Sequence, residues 1–229
     1  MTVTPTYELL YFQIWGLGEI PRLVFEHAGV PFKNSTIAWD EFQQTGKAQV
    51  PFGKLPILKI TQDDGKEITL AQSGAIVRYL GKKFGLVGTT PEDQAFIESI
   101  YDEYTDFTFG YINKFARTEH WKDLKEVQSY RDISILPFIK NHERFLAANG
   151  SNGHYVGDKI SIADIAAYQT LNWVFNTPYG TMFNKNDTPN IIKVHETVAA
   201  DPKIKEYVSS GRRFQPFAWQ TKREGQVEL

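Results

Sequence analysis

Tyr11 closes the apolar run Tyr7-Glu8-Leu9-Leu10-Tyr11, and the chain then breaks at Gly16 and Gly18. A phenol has a pKa of about 10 and keeps its proton at neutral pH, so it can donate a hydrogen bond to an anion. The end of a strand is also where open α/β sheets bind ligands. Gln72-Ser73 precedes the pattern AIVRYLGKKFG. Unpaired N–H groups and the helix dipole make such a start an anion site, with Ser73 as the expected N-cap. Leu55-Pro56 lies inside the compact apolar run KLPILKI. A proline there implies an edge strand or a cis peptide. Asp102 and Asp106 share one face of a long helical pattern. Ser161 and Asp164, in VGDKISIADI, have the spacing of a capping box, which is a folding element rather than a site. Taken alone, each of these has a plainer reading: a core tyrosine, an ordinary helix start, an edge-strand proline, a solvated acidic face.

Other chemistries are excluded by what the chain lacks. It has no cysteine, hence no disulfide, no thiolate metal site and no cysteine nucleophile. Thiol chemistry would need a sulfur brought by a ligand. The histidines at 27, 120, 142, 154 and 195 show no ligand spacing, so no metal is expected. Gly16-x-Gly18 lacks the third glycine and acidic partner of a dinucleotide site. A formal net charge of −2 argues against nucleic acid as a partner. No apolar run approaches the ~20 residues of a membrane span, and MTVTPTYELL does not read as a signal peptide, so a cytoplasmic protein is expected.

The elements that must position these residues follow from hydrophobic period. Residues 7–12 read as a buried strand and 19–29 as a helix closed by Gly29. Phe32–Ile37 suits a second strand parallel to the first. Residues 38–53 read as an irregular loop holding Trp39, Phe42 and Lys47. Residues 54–60 form a strand, Asp63-Asp64-Gly65 a hairpin turn, and 67–70 its antiparallel partner. After residues 85–90 the pattern is helical throughout: 91–117, about 123–149 with Pro137 expected to bend it, 161–174, 189–200 and 202–210. The tail from Arg212 is aromatic at first, then polar.

The motifs together, in this order, resemble the tyrosine-type cytosolic glutathione transferases, and the resemblance runs from Tyr7 to about Arg213. Tyr11-Phe12-x-x-x-Gly16 resembles the family's first-strand motif, and the spacing of Lys47 before Pro51-Phe52-Gly53 is sigma-like. The resemblance implies an α/β thioredoxin-like domain over 1–85 that binds glutathione, followed by an all-α domain over 91–229 that contributes the electrophile pocket. It implies that Tyr11 stabilises the glutathione thiolate. It assigns the γ-glutamyl carboxylate to Gln72 and Ser73, and peptide pairing to Leu55 before a cis Pro56. The glycine carboxylate falls to Lys47, Lys54 and either Trp39 or Phe42, and the amino group of a dimer partner's glutathione to Asp106. A wall for the second substrate falls to Phe12, Ile14, Trp15 and Tyr111, with Phe214 and Trp219 from the tail. Ser161 and Asp164 match the family's structural capping motif.

The family implication is a homodimeric, cytoplasmic detoxification enzyme that uses glutathione as substrate, with Phe52 as an apolar anchor in the partner. One departure stands out. Trp15-Gly16-Leu17 replaces the Arg-Gly-Arg of many members, which removes two positive charges near the thiolate. Two alternatives stay open: a glutathione-dependent isomerase of prostaglandin-synthase type, and a non-catalytic structural or binding relative.

Overall fold

The structure is a computed structural model that describes residues 5–116, 118–217 and 224–227. The chain forms two compact units. The first comprises residues 1–85 and 201–215, and the second residues 86–200 and 216–229.

In the first unit, strand β1 (Thr6–Tyr11) points Tyr7, Leu9 and Tyr11 inward on alternate positions. Helix α1 (Glu19–Ala28) follows a short 3₁₀ turn at Gly16–Gly18 and ends on Gly29, which takes the left-handed conformation expected of a C-cap. Strand β2 (Lys33–Thr36) runs parallel to β1. Helix α2 (Trp39–Gln44) and a 3₁₀ turn at Gly46–Gln49 occupy the stretch expected to be an irregular loop. The difference has a packing cause. Phe42 is buried on α2, and a Cβ on Gly46 would lie 2.7 Å from its ring, so the segment coils around one aromatic anchor. Strands β3 (Ile57–Thr61) and β4 (Glu67–Ala71) pair antiparallel across the Asp63-Asp64-Gly65 turn. The sheet order is β2-β1-β3-β4, with β3 antiparallel to β1. Helix α3 (Ser73–Phe84) completes the expected thioredoxin-like α/β layout. Its first residue is Ser73, and no side chain caps it. The N-cap position falls on Gln72, so the expected capping by Ser73 does not occur.

The second unit is helical. Helix α4 (Pro91–Tyr111) begins with a reciprocal capping box between Thr90 and Asp93, and ends in a π-helical turn at Ile112–Ala116. The helix expected over 123–149 is divided: α5 (Leu124–Tyr130), a π-helical turn at Arg131–Ile135, and α6 (Leu136–Ala148). Pro137 stands in the first turn of α6, where its missing N–H costs nothing, and the break falls just before it. Helix α7 (Ile162–Val174) is buried on nearly every face, as an all-round apolar helix must be. The Ser161 hydroxyl accepts from the Asp164 N–H, and Asp164 in turn accepts from the Ser161 N–H at 2.8 Å, so the capping box is formed. Helix α8 (Pro189–Ala200) closes the unit. Helix α9 (Pro202–Ser209) returns to the first unit and packs on α1.

Candidate functional site at one end of the sheet

Strand register brings the candidate residues of the first unit to one place. Tyr11 pairs with Thr36 on β2. Leu10 pairs with Ile57, and Ile57 pairs with Ala71. One step further along these ladders, Pro56 falls between Tyr11 and Gln72. The carboxyl ends of β1, β2 and β4 thus share an end of the sheet with the amino end of β3. The Leu55–Pro56 peptide bond is cis.

Tyr11 is 7% exposed, and its setting is built by two glycines. A Cβ on Gly16 would lie 2.5 Å from the Tyr11 hydroxyl, and one on Gly18 would lie 2.6 Å from the ring. Real Cβ atoms do not approach so closely, so only glycine lets the turn lie flat on the phenol. The Leu17 N–H from the same turn donates to the Tyr11 hydroxyl at 3.1 Å. Burial pushes the phenol above its usual 10.0, while the Leu17 hydrogen bond and the Arg22 charge pull it partly back. The hydroxyl is therefore protonated at neutral pH. Because it accepts from Leu17, its own proton is left to donate elsewhere.

Gln72 has φ 75° and ψ 117°, in the left-handed half of backbone space that a residue with a side chain rarely enters. Strain of this kind persists only where the surroundings enforce it, and it clusters at ligand sites. Gln72 is exposed and Ser73 half-buried, at the uncapped start of α3. The Phe12 ring is tilted against Tyr11 with centres 5.2 Å apart, and its centre lies 5.3 and 5.5 Å from those of Trp39 and Phe42. Trp39 is 62% exposed and Phe42 only 4%, so of the two candidate aromatics Trp39 is the one a ligand can reach. Lys47 and Lys54 are exposed and Leu55 is half-buried.

Ile14 and Trp15 are held by residues 212–215 of the same unit. Ile14 bridges to Gln215, the Trp15 N–H donates to the Gln215 carbonyl at 3.0 Å, and its Nε1–H donates to the Phe214 carbonyl at 2.6 Å. Trp219 lies outside the described residues. In the second unit Asp106 is exposed on α4, whereas Tyr111 is 2% exposed, among Phe115, Trp173 and Tyr179. Among the described residues no group of acidic, histidine or cysteine side chains has the geometry of a metal site.

Sequence reasoning missed a cluster of buried charge next to Tyr11. Glu19 and Arg22, both fully buried, form an ion pair at 3.2 Å, and Arg213 meets Glu19 at 2.7 Å. The spacing of Glu19 and Arg22, three apart in the first turn of a helix, was visible, but such pairs are ordinarily solvated. Nothing local in the sequence signals that Arg213 returns to cover them.

Comparison with known proteins identifies the family. The family model described as the N-terminal domain of glutathione S-transferase matches residues 7–82, and the model for its C-terminal domain matches residues 94–211. The chain belongs to the glutathione S-transferase family. Glutathione S-transferase 1 of Ascaris suum is 39% identical over 173 residues, 73% of this chain and 79% of that protein. Glutathione S-transferase 4 of Caenorhabditis elegans is 32% identical over 210 residues, covering 90% and 97% of the two chains. The solved structure of the Fasciola hepatica sigma class enzyme is 27% identical, superposes with a TM-score of 0.80, and covers 92% of this chain and 98% of its own. Pi- and nu-class members are also among the solved neighbours.

Proposed function

We propose that this chain transfers glutathione to electrophilic carbon in small apolar substrates, with the Tyr11 hydroxyl holding the glutathione sulfur as its thiolate. The observation that carries this reading is the Leu17 N–H at 3.1 Å from the Tyr11 oxygen, which uses the hydroxyl as an acceptor and leaves its proton available to donate. A free thiol has a pKa of about 8.5, so only a few per cent is ionised at neutral pH. A hydrogen bond to a charged sulfur contributes roughly 1.5–3 kcal/mol, which lowers that pKa by about one to two units. At pH 7 roughly a quarter to three-quarters of the bound thiol is then nucleophilic, and the remaining rate enhancement comes from positioning.

The strained Gln72, the uncapped start of α3 and Ser73 favour a carboxylate there, that of the γ-glutamyl group. The Leu55 backbone ahead of Pro56 pairs with the extended tripeptide. Trp39, Lys47 and Lys54 take the glycine carboxylate, and Asp106 the amino group of glutathione in a partner subunit. Phe12, Ile14 and Trp15 line the second-substrate side. The assembly is a homodimer in which Phe52, 63% exposed, anchors in the partner, and the setting is cytoplasmic detoxification.

Tyr11→Phe tests the central claim. Conjugation of glutathione to chlorodinitrobenzene is expected to fall about 10- to 150-fold in kcat/KM, the rate equivalent of one charged hydrogen bond. The ultraviolet thiolate band of bound glutathione should shift to higher pH in parallel. An unchanged band together with unchanged conjugation would remove Tyr11 from the chemistry.

A further inference from the structure

The Gly16–Gly18 turn that lies flat on Tyr11 carries little order of its own. Two of its three residues are glycine, the residue that gives up most conformational freedom on folding, and Gly16 has φ 41°. Its position is therefore set by what grips the chain just before it. Arg22, fully buried, donates to the carbonyls of Phe12 and Ile14 at 3.1 and 2.8 Å. Trp15, the residue next to the turn, is tied to a segment 199 positions away. Its backbone N–H donates to the Gln215 carbonyl at 3.0 Å and its indole N–H to the Phe214 carbonyl at 2.6 Å. The Arg213 guanidinium lies 4.1 Å from the centre of its ring. Any residue at position 15 would supply the backbone N–H, but only the indole supplies the second donor. Two residues further on, the Leu17 N–H reaches the Tyr11 oxygen at 3.1 Å.

We propose that Trp15 is a positioning residue for Tyr11: anchored through its indole N–H to the Phe214 carbonyl, it fixes the glycine turn so that the Leu17 N–H stays on the phenol oxygen and the phenol proton stays available to the glutathione sulfur. The proposal rests on the reading of Tyr11 given above. A hydroxyl that accepts one hydrogen bond is a stronger donor for the next, because the two polarise each other. A turn released at Trp15 withdraws the Leu17 N–H, weakens that donation and leaves the bound thiol less ionised. The segment 213–215 thus reaches the chemistry through Trp15 without touching the sulfur.

The test is a pH titration of the ultraviolet thiolate band of glutathione bound to the full-length protein and its variants. Trp15→Phe keeps a ring beside Arg213 and deletes the indole N–H. It is expected to raise the thiol pKa by about half a unit, and to lower kcat about two- to threefold near pH 6.5 with KM for glutathione changed less than about twofold. Trp15→Ala should raise the pKa by about one unit. The benzothiophene analogue of tryptophan at position 15 keeps the shape and lacks only the N–H, so it should match Trp15→Phe. Combined with Tyr11→Phe, the same changes at position 15 should leave the thiol pKa where Tyr11→Phe alone puts it, because residues acting through one group are not additive. A side chain that only braces the fold would lower the urea midpoint and leave the thiol pKa unmoved. That result overturns the proposal, as does an equal shift with and without Tyr11→Phe. Should Trp15→Ala fail to fold, Trp15→Phe and the analogue decide. Tyr11→Phe by itself separates the two claims. An unshifted thiol there overturns the reading of Tyr11 and this proposal with it, whereas a shifted thiol there with no response at position 15 overturns this proposal alone.

Discussion

Two buried polar clusters, one in each unit, are built on opposite principles. In the second unit, Asp164 accepts from the Ser161 N–H at 2.8 Å, the Ser161 hydroxyl at 2.8 Å and the Tyr155 N–H at 2.9 Å. The Tyr155 hydroxyl in turn meets Tyr104 at 2.7 Å and His142 Nδ1 at 2.6 Å. Every member is deep inside and bonds to another. The first unit concentrates Arg22, Glu19 and Arg213 beside a tyrosine whose proton has no partner among the described residues, at the end of the sheet where the Gln72 backbone takes a conformation that costs energy. A closed network spends its hydrogen bonds on the fold. An open one keeps a donor in hand for something that arrives later. The contrast separates a buried polar group that serves folding from one that serves chemistry: the first binds its hydroxyls and its carboxylate to other members of the fold, even though His142 Nε2 is left without a partner.

The largest effect is expected where the closed network is cut. Asp164→Ala strands three buried donors at about 1–3 kcal/mol each, so a loss of about 3–5 kcal/mol in urea unfolding is expected. A loss below about 1 kcal/mol would mean that the network is not what holds α7 in place.

The next effect is an acid sensitivity. Burial depresses the His142 pKa to about 3, below its usual 6.5. A neutral histidine favoured by the fold stabilises it fully above pH 6.5 and progressively less as pH falls from 6.5 toward 3, by about 1.4 kcal/mol per unit. Between pH 7 and about pH 4.5 the parent should therefore lose up to about 3 kcal/mol more than His142→Gln, read as the difference between their urea midpoints. Parallel pH profiles would show that His142 does not sense the bulk.

The smallest of these effects falls in the open cluster. Gly18→Ala drives a methyl into the Tyr11 ring, where 2.6 Å is available. Overpacking of this kind costs about 1–3 kcal/mol. It should lower kcat/KM by more than the loss of stability explains, because the ring it displaces is the one proposed to hold the thiolate. Equal losses of stability and activity would erase the distinction between the two clusters.

How much of this could be read from the chain depended on the range of the forces involved. Tyr11 at a strand end, the Asp63-Asp64-Gly65 turn and the Ser161–Asp164 capping box are set by neighbours within a few residues, and their spacing shows it. The α2 helix was missed because its period is carried by one buried ring, Phe42, in a segment otherwise polar. Ser73 was misplaced as a cap because the choice between Gln72 and Ser73 rests on a backbone angle that composition does not reveal. The division at Arg131–Ile135 was read as a bend, because Pro137 marks where a helix changes but not that a π-helical turn precedes the change. The charge cluster lay furthest out of reach. Glu19 and Arg22 look like any surface pair until residues from the far end of the chain are laid over them.

That last arrangement bears on how the protein is made. Synthesis runs from the amino terminus, and the first compact unit of most chains folds while the rest is still being translated. Here Glu19 does not meet Arg213 until Arg213 has left the ribosome, so a segment that emerges long before Arg213 is among the last of its unit to be finished.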